Sequence, residues 1–391
     1  MDSFETIIVG AGPAGLACAG ALRTKGREAL VVERASDVGS SWRRHYDRLH
    51  LHTHRRFSGL PGLAMPASDP AYPSRNDVVA YLDTYALHHG IQPRFDVEIS
   101  RISGGDRWRV ETSGGPLSAQ NVIVASGLAN RPHHPENFGQ FAGTLLHSRE
   151  YKTAAPFAGT RVLVVGFGNS GGEIALDLAE SGVDVTVSVR GPVNIVPRDL
   201  LGLPIQVWAI LQRRLPPQLV DAINAPVLRM RMGDLARMGL AKPAKGPMAQ
   251  VAKDCRIPLI DIGTIDRIAR GKIAVKTGVR ICEKSDVAFA DGSRASFDAI
   301  VLATGYRTGL ASLLPDHRDV LDAEGVPRTS GARTPHEGLF FCGFTPVASG
   351  QLREIGREAT KIAAAIASDV TGHASRGGAT AAAKVAASAR G

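Results

Sequence analysis

The sequence predicts an α/β fold made of two Rossmann-like units, the second inserted into the first. Three observations support this prediction. A strand, a glycine-rich turn, a helix and a second strand follow one another at the start of the chain, and the same order returns after residue 160. Further strand and helix patterns follow near the end of the chain, and we assign them to the first unit. Two such β-α-β patterns are typical of proteins with two nucleotide-binding halves.

The elements of the first unit follow from short apolar runs and from helical spacing. Its strands are runs rich in β-branched residues. Ser74 immediately precedes the second helix, and it has the spacing of a capping box with Asp77 in the first turn. The predicted strands are Thr6–Val9, Glu28–Glu33 and Gln120–Ala125, and the predicted helices are Ala14–Lys25 and Arg75–His89.

The second unit repeats this order with strands over Arg161–Val165 and Val183–Val189 and a helix over Ser170–Glu180. Ile205–Met238 is amphipathic and basic, and we interpret it as one or two covering helices in preference to a membrane-surface anchor. The late elements are strands over Ala299–Ala303 and Leu339–Cys342 and a final helix over Gln351–Ser368.

These elements predict a discontinuous first domain over residues 1–155 and 290–370, and a second domain over 156–289. The active site is expected in the cleft between the two domains. Residues 371–391 are rich in Ala, Gly and Ser and are predicted to be a low-complexity tail.

Composition excludes several classes of protein. Apolar residues make up 44% of the 391 residues and charged residues 21%, an ordinary globular balance. The net charge is +9, but no basic run is interleaved with aromatic residues, so no nucleic-acid partner is expected. No run of 18 apolar residues occurs, and the acidic start is unlike a signal peptide, so we expect a cytoplasmic protein without a membrane partner.

The four cysteines contain no C-x-x-C pair. Neither a zinc ribbon nor a dithiol redox centre is therefore expected from their spacing.

The first glycine sequence, G-x-G-x-x-G, lies directly between a predicted strand and a predicted helix. Gly10 permits the tight turn, Gly12 lets the backbone approach a pyrophosphate, and Gly15 lets the helix pack on the strand. An acid at the end of the next strand, Glu33, has the position expected for binding ribose hydroxyls. The predicted cofactor-binding residues of this unit are Gly10, Gly12, Pro13, Ala14, Gly15 and Glu33.

The second glycine sequence repeats this pattern but ends its following strand in Arg190. A guanidinium binds a ribose 2′-phosphate that a carboxylate repels, although a solvated strand-end arginine is the alternative interpretation. Because two sites for the same dinucleotide would be redundant, we assign FAD to the first site and NADPH to the second. The predicted cofactor-binding residues here are Gly166, Gly168, Asn169, Ser170, Gly171 and Arg190.

Three further stretches carry a family resemblance. Phe141–Tyr151 matches F-x-G-x-x-x-H-x-x-x-Y, just ahead of the second glycine sequence, and Ala303–Tyr306 reads ATGY, with an earlier counterpart at Ala125–Gly127. Together they resemble the class B flavin-dependent monooxygenases. The branch most resembled is the YUCCA-type indole-3-pyruvate monooxygenases, through Tyr46–Leu49, Tyr72–Arg75, Gly166–Glu173, Gly246–Met248 and Pro258–Ile268.

The resemblance implies that NADPH reduces FAD and that dioxygen adds at carbon 4a of the flavin. The resulting peroxide would oxidise a small molecule, such as the α-keto acid indole-3-pyruvate with loss of carbon dioxide. The family leaves open N- or S-oxygenation of amines or sulfides and Baeyer–Villiger oxidation of a ketone. An FAD/NADPH electron-transfer reductase is the alternative from another class. The oligomeric state is not predicted.

The resemblance also implies particular site residues. His52 occupies the position where related enzymes carry an asparagine near the flavin, and it is a candidate catalytic residue together with Asn169. His147 is either a structural link between the domains or a catalyst. Further cofactor contacts are expected from Arg34, Trp42, Ala303, Thr304, Gly305 and Gly343.

Two sets of charged residues have several interpretations. His50, His52 and His54 would share one face of a strand, but no nearby Cys, Asp or Glu completes a metal site, so no metal is expected. The carboxylate of an α-keto acid needs a cationic partner, for which Arg43, Arg44 and Arg353 are the candidates.

Overall fold

The computed structural model describes residues 1–104 and 107–368, and it has the predicted α/β architecture with two parallel sheets. The tail predicted over 371–391 lies outside the described residues.

The strands in chain order are β1 (Asp2–Val9), β2 (Leu30–Val32), β3 (Ile99–Ser103), β4 (Trp108–Thr112), β5 (Leu117–Val124), β6 (Arg131–Pro132), β7 (Thr144–His147), β8 (Arg161–Val165), β9 (Asp184–Val189), β10 (Ile195–Pro197), β11 (Asp199–Leu200), β12 (Leu203–Pro204), β13 (Leu259–Asp261), β14 (Ile273–Thr277), β15 (Val279–Glu283), β16 (Asp286–Phe289), β17 (Arg294–Ser296), β18 (Ala299–Leu302), β19 (Tyr306–Arg307) and β20 (Leu339–Phe341). The α-helices are α1 (Pro13–Arg23), α2 (Ser40–Arg43), α3 (Arg75–His88), α4 (Asn169–Glu180), α5 (Ile205–Leu211), α6 (Pro217–Met232), α7 (Pro247–Asp254), α8 (Thr264–Ala269), α9 (Leu310–Leu313) and α10, helical over the described residues 351–368.

The first sheet has the order β2-β1-β5-β4-β3, and β20 pairs with the second half of β5. Strands β2, β1, β5 and β20 run parallel, whereas β4 and β3 continue the sheet antiparallel. Val9 pairs with Val32 on one side and Val124 on the other, and Phe341 also pairs with Val124. The loops that leave these carboxyl ends therefore meet at one edge, where ligands bind in sheets of this kind.

The second sheet is entirely parallel, in the order β14-β9-β8-β18-β7. Two of its strands, β7 and β18, lie outside the predicted second domain of residues 156–289. Those limits were too narrow for this sheet, because β18 pairs with both β8 and β7 along its whole length. The second sheet therefore draws its strands from Thr144 to Leu302.

The two sheets have separate hydrophobic cores. The first sheet packs against α1, α3 and α10, with Leu16, Tyr85 and Ile362 completely buried. The second packs against α4 and α8, and its core also contains Tyr46, a residue from the loop after α2. Val164 and Ile174 are completely buried in that second core.

Most predicted elements are confirmed within a few residues of their ends. The capping box is present, since the Ser74 side chain accepts from Asp77 N and Asp77 accepts from Ser74 N. Ile205–Met238 forms α5, α6 and a short 3-10 turn. Among the helices of residues 1–104 and 107–368, none combines the length and apolar character that spanning a bilayer requires.

The histidine run does not form a strand, so the three side chains do not share the face that a strand would give them. His50 makes a single bridge with Ser74, and the chain then bends into a 3-10 helix at Arg55–Phe57. The three rings therefore have different partners. His50 contacts Arg48 O, and the His54 ring accepts from Arg56 N.

Candidate active site

The first glycine loop has the geometry that its three glycines predict. Gly10 has φ +103°, and its N–H donates to Val32 O at 2.8 Å. A Cβ at Gly15 would overlap the carbonyl oxygen of Gly10, whereas a Cβ at Gly12 would meet nothing within 4 Å. Helix α1 starts at Gly12 without a side-chain cap. Its first N–H groups are therefore available to an anion above Gly12.

Glu33 is part of this loop as well as of the predicted ribose site. Its carboxylate is buried, and it accepts from Ala11 N at 2.8 Å and from Ala35 N at 2.9 Å. Glu33 lies just after the strand, which ends at Val32. Each carboxylate oxygen retains acceptor capacity for a ribose hydroxyl.

A cavity of about 650 Å³ opens above the first loop. Gly15 is absent from its wall because it packs behind Gly10. The cavity is also lined by Ser126, whose buried Oγ has no hydrogen-bond partner among the described residues. An open glycine cradle, uncapped helix N–H groups and an unpaired buried hydroxyl together fit a bound dinucleotide. The predicted site residues that line the cavity are Gly10, Gly12, Pro13, Ala14, Glu33, Arg34, Trp42 and Gly343.

The second glycine loop has nearly the same backbone geometry as the first. Gly166 has φ +102°, and its N–H donates to Ser188 O at 3.0 Å. A Cβ at Gly171 would overlap Gly166 O, and a Cβ at Gly168 would meet nothing within 4 Å. Helix α4 likewise begins at Gly168 without a side-chain cap. The second loop therefore has the geometry of a second dinucleotide cradle by the same criteria.

The strand register shows how the second cradle differs. Gly10 bonds to Val32 and Gly166 to Ser188, so Glu33 corresponds to Val189 and Arg34 corresponds to Arg190. The second cradle thus carries an apolar residue at the position of the first carboxylate. Arg190 is exposed one residue later. A guanidinium at this place, with no carboxylate before it, suits a ribose that carries a phosphate.

The strand beside each glycine loop ends in a matching turn. Ala125 N donates to Val9 O in the first unit, and Ala303 N donates to Val165 O in the second. A Cβ at Gly166 would overlap Ala303 O, so this turn holds the second loop closely. Thr304 Oγ1 donates to His133 O at 2.5 Å. Ala303 and Thr304 thus support the second loop.

His147 connects this turn to the segment between the sheets. Its ring is completely buried, its Nε2 lies 3.1 Å from Gly305 O, and its Nδ1 accepts from Arg149 N at 3.1 Å. Burial is the main cause that lowers the pKa of His147. Both nitrogens of this neutral ring are hydrogen-bonded to backbone groups, so neither is free to transfer a proton. This favours the interpretation of His147 as a structural link.

Gly343 lies just after β20 and also lines the cavity. Its N–H donates to Glu358 at 2.7 Å, and its carbonyl accepts from the Gln351 side chain at 3.1 Å. Gln351 begins α10, and it also lines the cavity. The start of α10 is thereby placed beside the space above the first loop.

Comparison with known proteins identifies the family. A model described as pyridine nucleotide-disulphide oxidoreductase matches residues 7–199. The flavin-containing monooxygenase from Stenotrophomonas maltophilia is 25% identical with a TM-score of 0.73, over 95% of this chain and 100% of its own. The indole-3-pyruvate monooxygenase YUCCA1 of Oryza sativa subsp. japonica is 40% identical over 349 residues, which are 87% of this chain and 86% of that relative. This chain belongs to the YUCCA-type family of flavin-dependent monooxygenases. The probable indole-3-pyruvate monooxygenase YUCCA1 of Arabidopsis thaliana is 36% identical over 87% of this chain and 84% of its own. The resemblance inferred from the sequence is confirmed.

In this monooxygenase the two candidate catalytic residues have different surroundings. The Asn169 side chain accepts from Ile260 N at 2.7 Å and reaches Pro258 O at 3.5 Å, so it ties the start of α4 to β13. The His52 Nε2 is hydrogen-bonded to Glu173 on α4. Both stay predictions as catalytic residues, and both contact α4 or lie on it.

Glu173 is the residue near the site that sequence reasoning missed. Its side chain is only 3% exposed. Its Oε2 has no hydrogen-bond partner among the described residues, and Tyr46 is close enough for the two groups to interact electrostatically. Burial first, and then the Glu173 charge, raise the pKa of Tyr46 well above its usual range. The available signal was an acid on the same helix as the buried Ile174 and Leu178.

The three candidate cations for a substrate carboxylate are separated by the fold. Arg43 Nη2 donates to both carboxylate oxygens of Asp83, and Arg353 lines a different groove beside Leu60. Arg44 lines the main cavity, as does Arg149. Burial first, and then the charges of Arg44 and Arg34, lower the pKa of Arg149. The cavity wall therefore has an excess of positive charge.

Two of the scattered cysteines meet in the first core. Cys18 and Cys342 are completely buried, and the contact with Cys18 together with burial raises the pKa of Cys342. The Cys342 thiol, held protonated in a dry core, is therefore a poor nucleophile. Spacing in the sequence gave no sign of this pair, which is an internal contact of α1 with the end of β20.

Proposed function

We propose that this chain catalyses the oxidative decarboxylation of an α-keto acid of the indole-3-pyruvate type, with NADPH and dioxygen as co-substrates. The observation that carries the proposal is the pair of glycine cradles, one closed by Glu33 and the other by Val189 and Arg190. The names of the relatives at 36–40% identity support the keto acid as substrate.

FAD and NADPH are the cofactors, and we assign FAD to the cavity above Gly12 and NADPH to the cradle at Gly168. Gly12 and the start of α1 would hold the FAD pyrophosphate, and Glu33 would accept from its adenosine ribose. Arg190 would contact the 2′-phosphate of NADPH. When bound, these cofactors supply the two electrons that reduce one oxygen atom of O₂ to water while the other enters the product.

The reaction balances with one equivalent of each reactant. The keto acid, O₂, NADPH and a proton give the acid shortened by one carbon, carbon dioxide, water and NADP⁺. The protein's own residues bind, orient and exclude water. Dioxygen and the keto acid are the expected partners, and the expected location is the cytoplasm.

Arg44 is the cation that we assign to the substrate carboxylate, because it lines the cavity whereas Arg43 and Arg353 do not. Replacing Arg44 by Ala is expected to raise the KM for the keto acid about 10-fold or more, since a hydrogen bond to a charged group contributes about 1.5–3 kcal/mol. Arg353→Ala serves as the control, and it is expected to leave KM unchanged. An equal effect of both variants would contradict the assignment.

The test of the proposed function is the stoichiometry of the purified enzyme under air. Indole-3-pyruvate with NADPH should give one decarboxylated acid and one CO₂ for each NADPH consumed. Oxygenated amines or sulfides in place of the acid would instead support the heteroatom oxygenase. NADPH consumption with transfer of electrons to a protein acceptor, and no oxygenated product, would support the electron-transfer reductase.

A further inference from the structure

Segment 46–52 connects the two halves of the molecule. Tyr46 is buried in the core of the second sheet, and Leu51 is buried in the core of the first. Between them, Asp47 N donates to Lys152 O at 3.0 Å. This short stretch therefore holds one side chain in each core, and any movement of one half relative to the other must displace it.

Helix α4 presents three carboxylates to this segment at helical spacing. Glu173 is bonded to His52, and Asp177 and Glu180 both contact Arg48, at 3.5 and 2.8 Å. Their exposure rises along the helix, from 3% for Glu173 through 20% for Asp177 to 40% for Glu180. The innermost contact is the one shielded from water, where an electrostatic interaction is strongest.

Glu173 also lies one turn from the second glycine cradle. It follows Gly168, the residue with open space for a dinucleotide, on the first turns of α4. Tyr46 lies in the same buried cluster as Ile174 and Leu178 of α4, and burial first and then the Glu173 charge raise its pKa. The carboxylate thus couples the position of segment 46–52 to the start of the helix that carries the second cradle.

We propose that Glu173 is a positioning residue, which holds α4 against His52 and Tyr46 and thereby sets the separation of the two dinucleotide cradles. The proposal rests on the assignment of FAD and NADPH to these cradles. Hydride transfer requires reacting atoms at about 3–3.5 Å, and a misplacement of about 1 Å costs about 100-fold in rate. The effect of losing Glu173 should therefore fall on the transfer rate more than on the binding of NADPH.

The variants separate charge, hydrogen bonding and packing. Glu173→Gln keeps the volume and loses the charge, His52→Ala removes the partner, and His52→Gln keeps a donor. The matched control is Glu180→Gln, which removes an exposed contact between the same helix and the same segment. If Glu173→Ala does not fold, Glu173→Gln and His52→Ala still test the proposal.

The first measurement needs no turnover. Hydrogen exchange of the FAD-loaded enzyme, followed by mass spectrometry, should show amides of segment 46–52 and of the start of α4 exchanging about 10-fold faster in Glu173→Gln and His52→Ala. Glu180→Gln should match the wild type. Exchange rates unchanged in all variants would overturn the proposal.

The second measurement is the anaerobic reduction of bound flavin by NADPH, without any keto acid. Glu173→Gln and His52→Ala should lower the limiting rate about 10- to 100-fold while the Kd for NADP⁺ changes less than about 3-fold. His52→Gln should recover most of the rate. A rise in the Kd for NADP⁺ as large as the fall in the limiting rate would overturn the proposal. An unchanged limiting rate would overturn it as well. Since no substrate is present, this result is independent of whether indole-3-pyruvate is decarboxylated.

Discussion

The two glycine cradles are nearly the same in backbone geometry, but only the first contains a carboxylate at the end of the neighbouring strand. Gly10 and Gly166 have φ values of +103° and +102°, and each bonds to the neighbouring strand in the same register. The first cradle contains a buried carboxylate, Glu33, that already binds two N–H groups of the protein. The second has Val189 at that position. Backbone geometry therefore gives both loops the shape of a dinucleotide site, and we infer that the side chain after the strand sets the preference between dinucleotides.

The largest expected effect comes from filling the glycine contacts. Gly15→Ala would place a methyl group on Gly10 O, so α1 must move, at a cost of about 1–3 kcal/mol. The purified protein should lose its visible flavin absorbance and unfold at a lower temperature. Gly12→Ala meets no protein atom and should keep the wild-type circular dichroism spectrum while binding FAD at least about 10-fold more weakly.

The corresponding substitution in the second loop distinguishes the roles of the two cradles. Gly168→Ala should retain FAD and lose NADPH-dependent activity. If Gly168→Ala lost FAD to the same extent as Gly12→Ala, the assignment of the two cradles would be wrong.

Glu33→Gln tests the internal carboxylate of the first cradle. The amide can offer an acceptor to only one of Ala11 N and Ala35 N, and its NH₂ group then faces the other donor. We expect the Kd for FAD, measured by fluorescence titration of the apoprotein, to rise about 10- to 100-fold. Glu28→Gln, on an exposed acid outside the cavity, is the control and should leave the Kd unchanged.

Arg190→Asp tests the cation of the second cradle. The kcat/KM for NADPH should fall about 10- to 100-fold through loss of a charge-assisted bond to the 2′-phosphate. The kcat/KM for NADH should change less, and Val189→Glu with Arg190→Gln should move the preference further toward NADH. Equal losses for NADPH and NADH would mean that Arg190 is a solvated residue without a role in specificity.

The smallest expected effect is a pH dependence of stability from His147. Burial lowers the pKa of His147 in the folded state below the usual value of 6.5. The stabilisation by the neutral ring is therefore present above pH 6.5 and is lost as the pH falls further. His147→Gln should reduce the fall in thermal midpoint between pH 7 and pH 5 by a small amount, because the variant has no ring to protonate.

Only part of that pH dependence should disappear in the variant, because burial also lowers the pKa of His45, His89 and His317. Curves of thermal midpoint against pH that run parallel for the variant and the wild type would contradict the role given to His147.

Local patterns predicted most of the fold and the cofactor loops. Strands such as Arg161–Val165, the capping box at Ser74 and both glycine turns depend on residues close together in the chain. The family resemblance likewise came from contiguous stretches. Sequence spacing placed the acid and the arginine 18 and 19 residues after the last glycine of each loop, and the strand register confirms this one-residue offset.

The sequence by itself determined the two β-α-β units, because glycine turns, strand runs and helix caps are set by short-range sterics and hydrogen bonding. The tertiary structure alone decided what meets across long separations. It brought Glu173 to His52, placed Tyr46 in the second core, and added β7 and β18 to the second sheet. Such contacts depend on how burial and strand pairing are satisfied over the whole chain, and no local pattern contains that information.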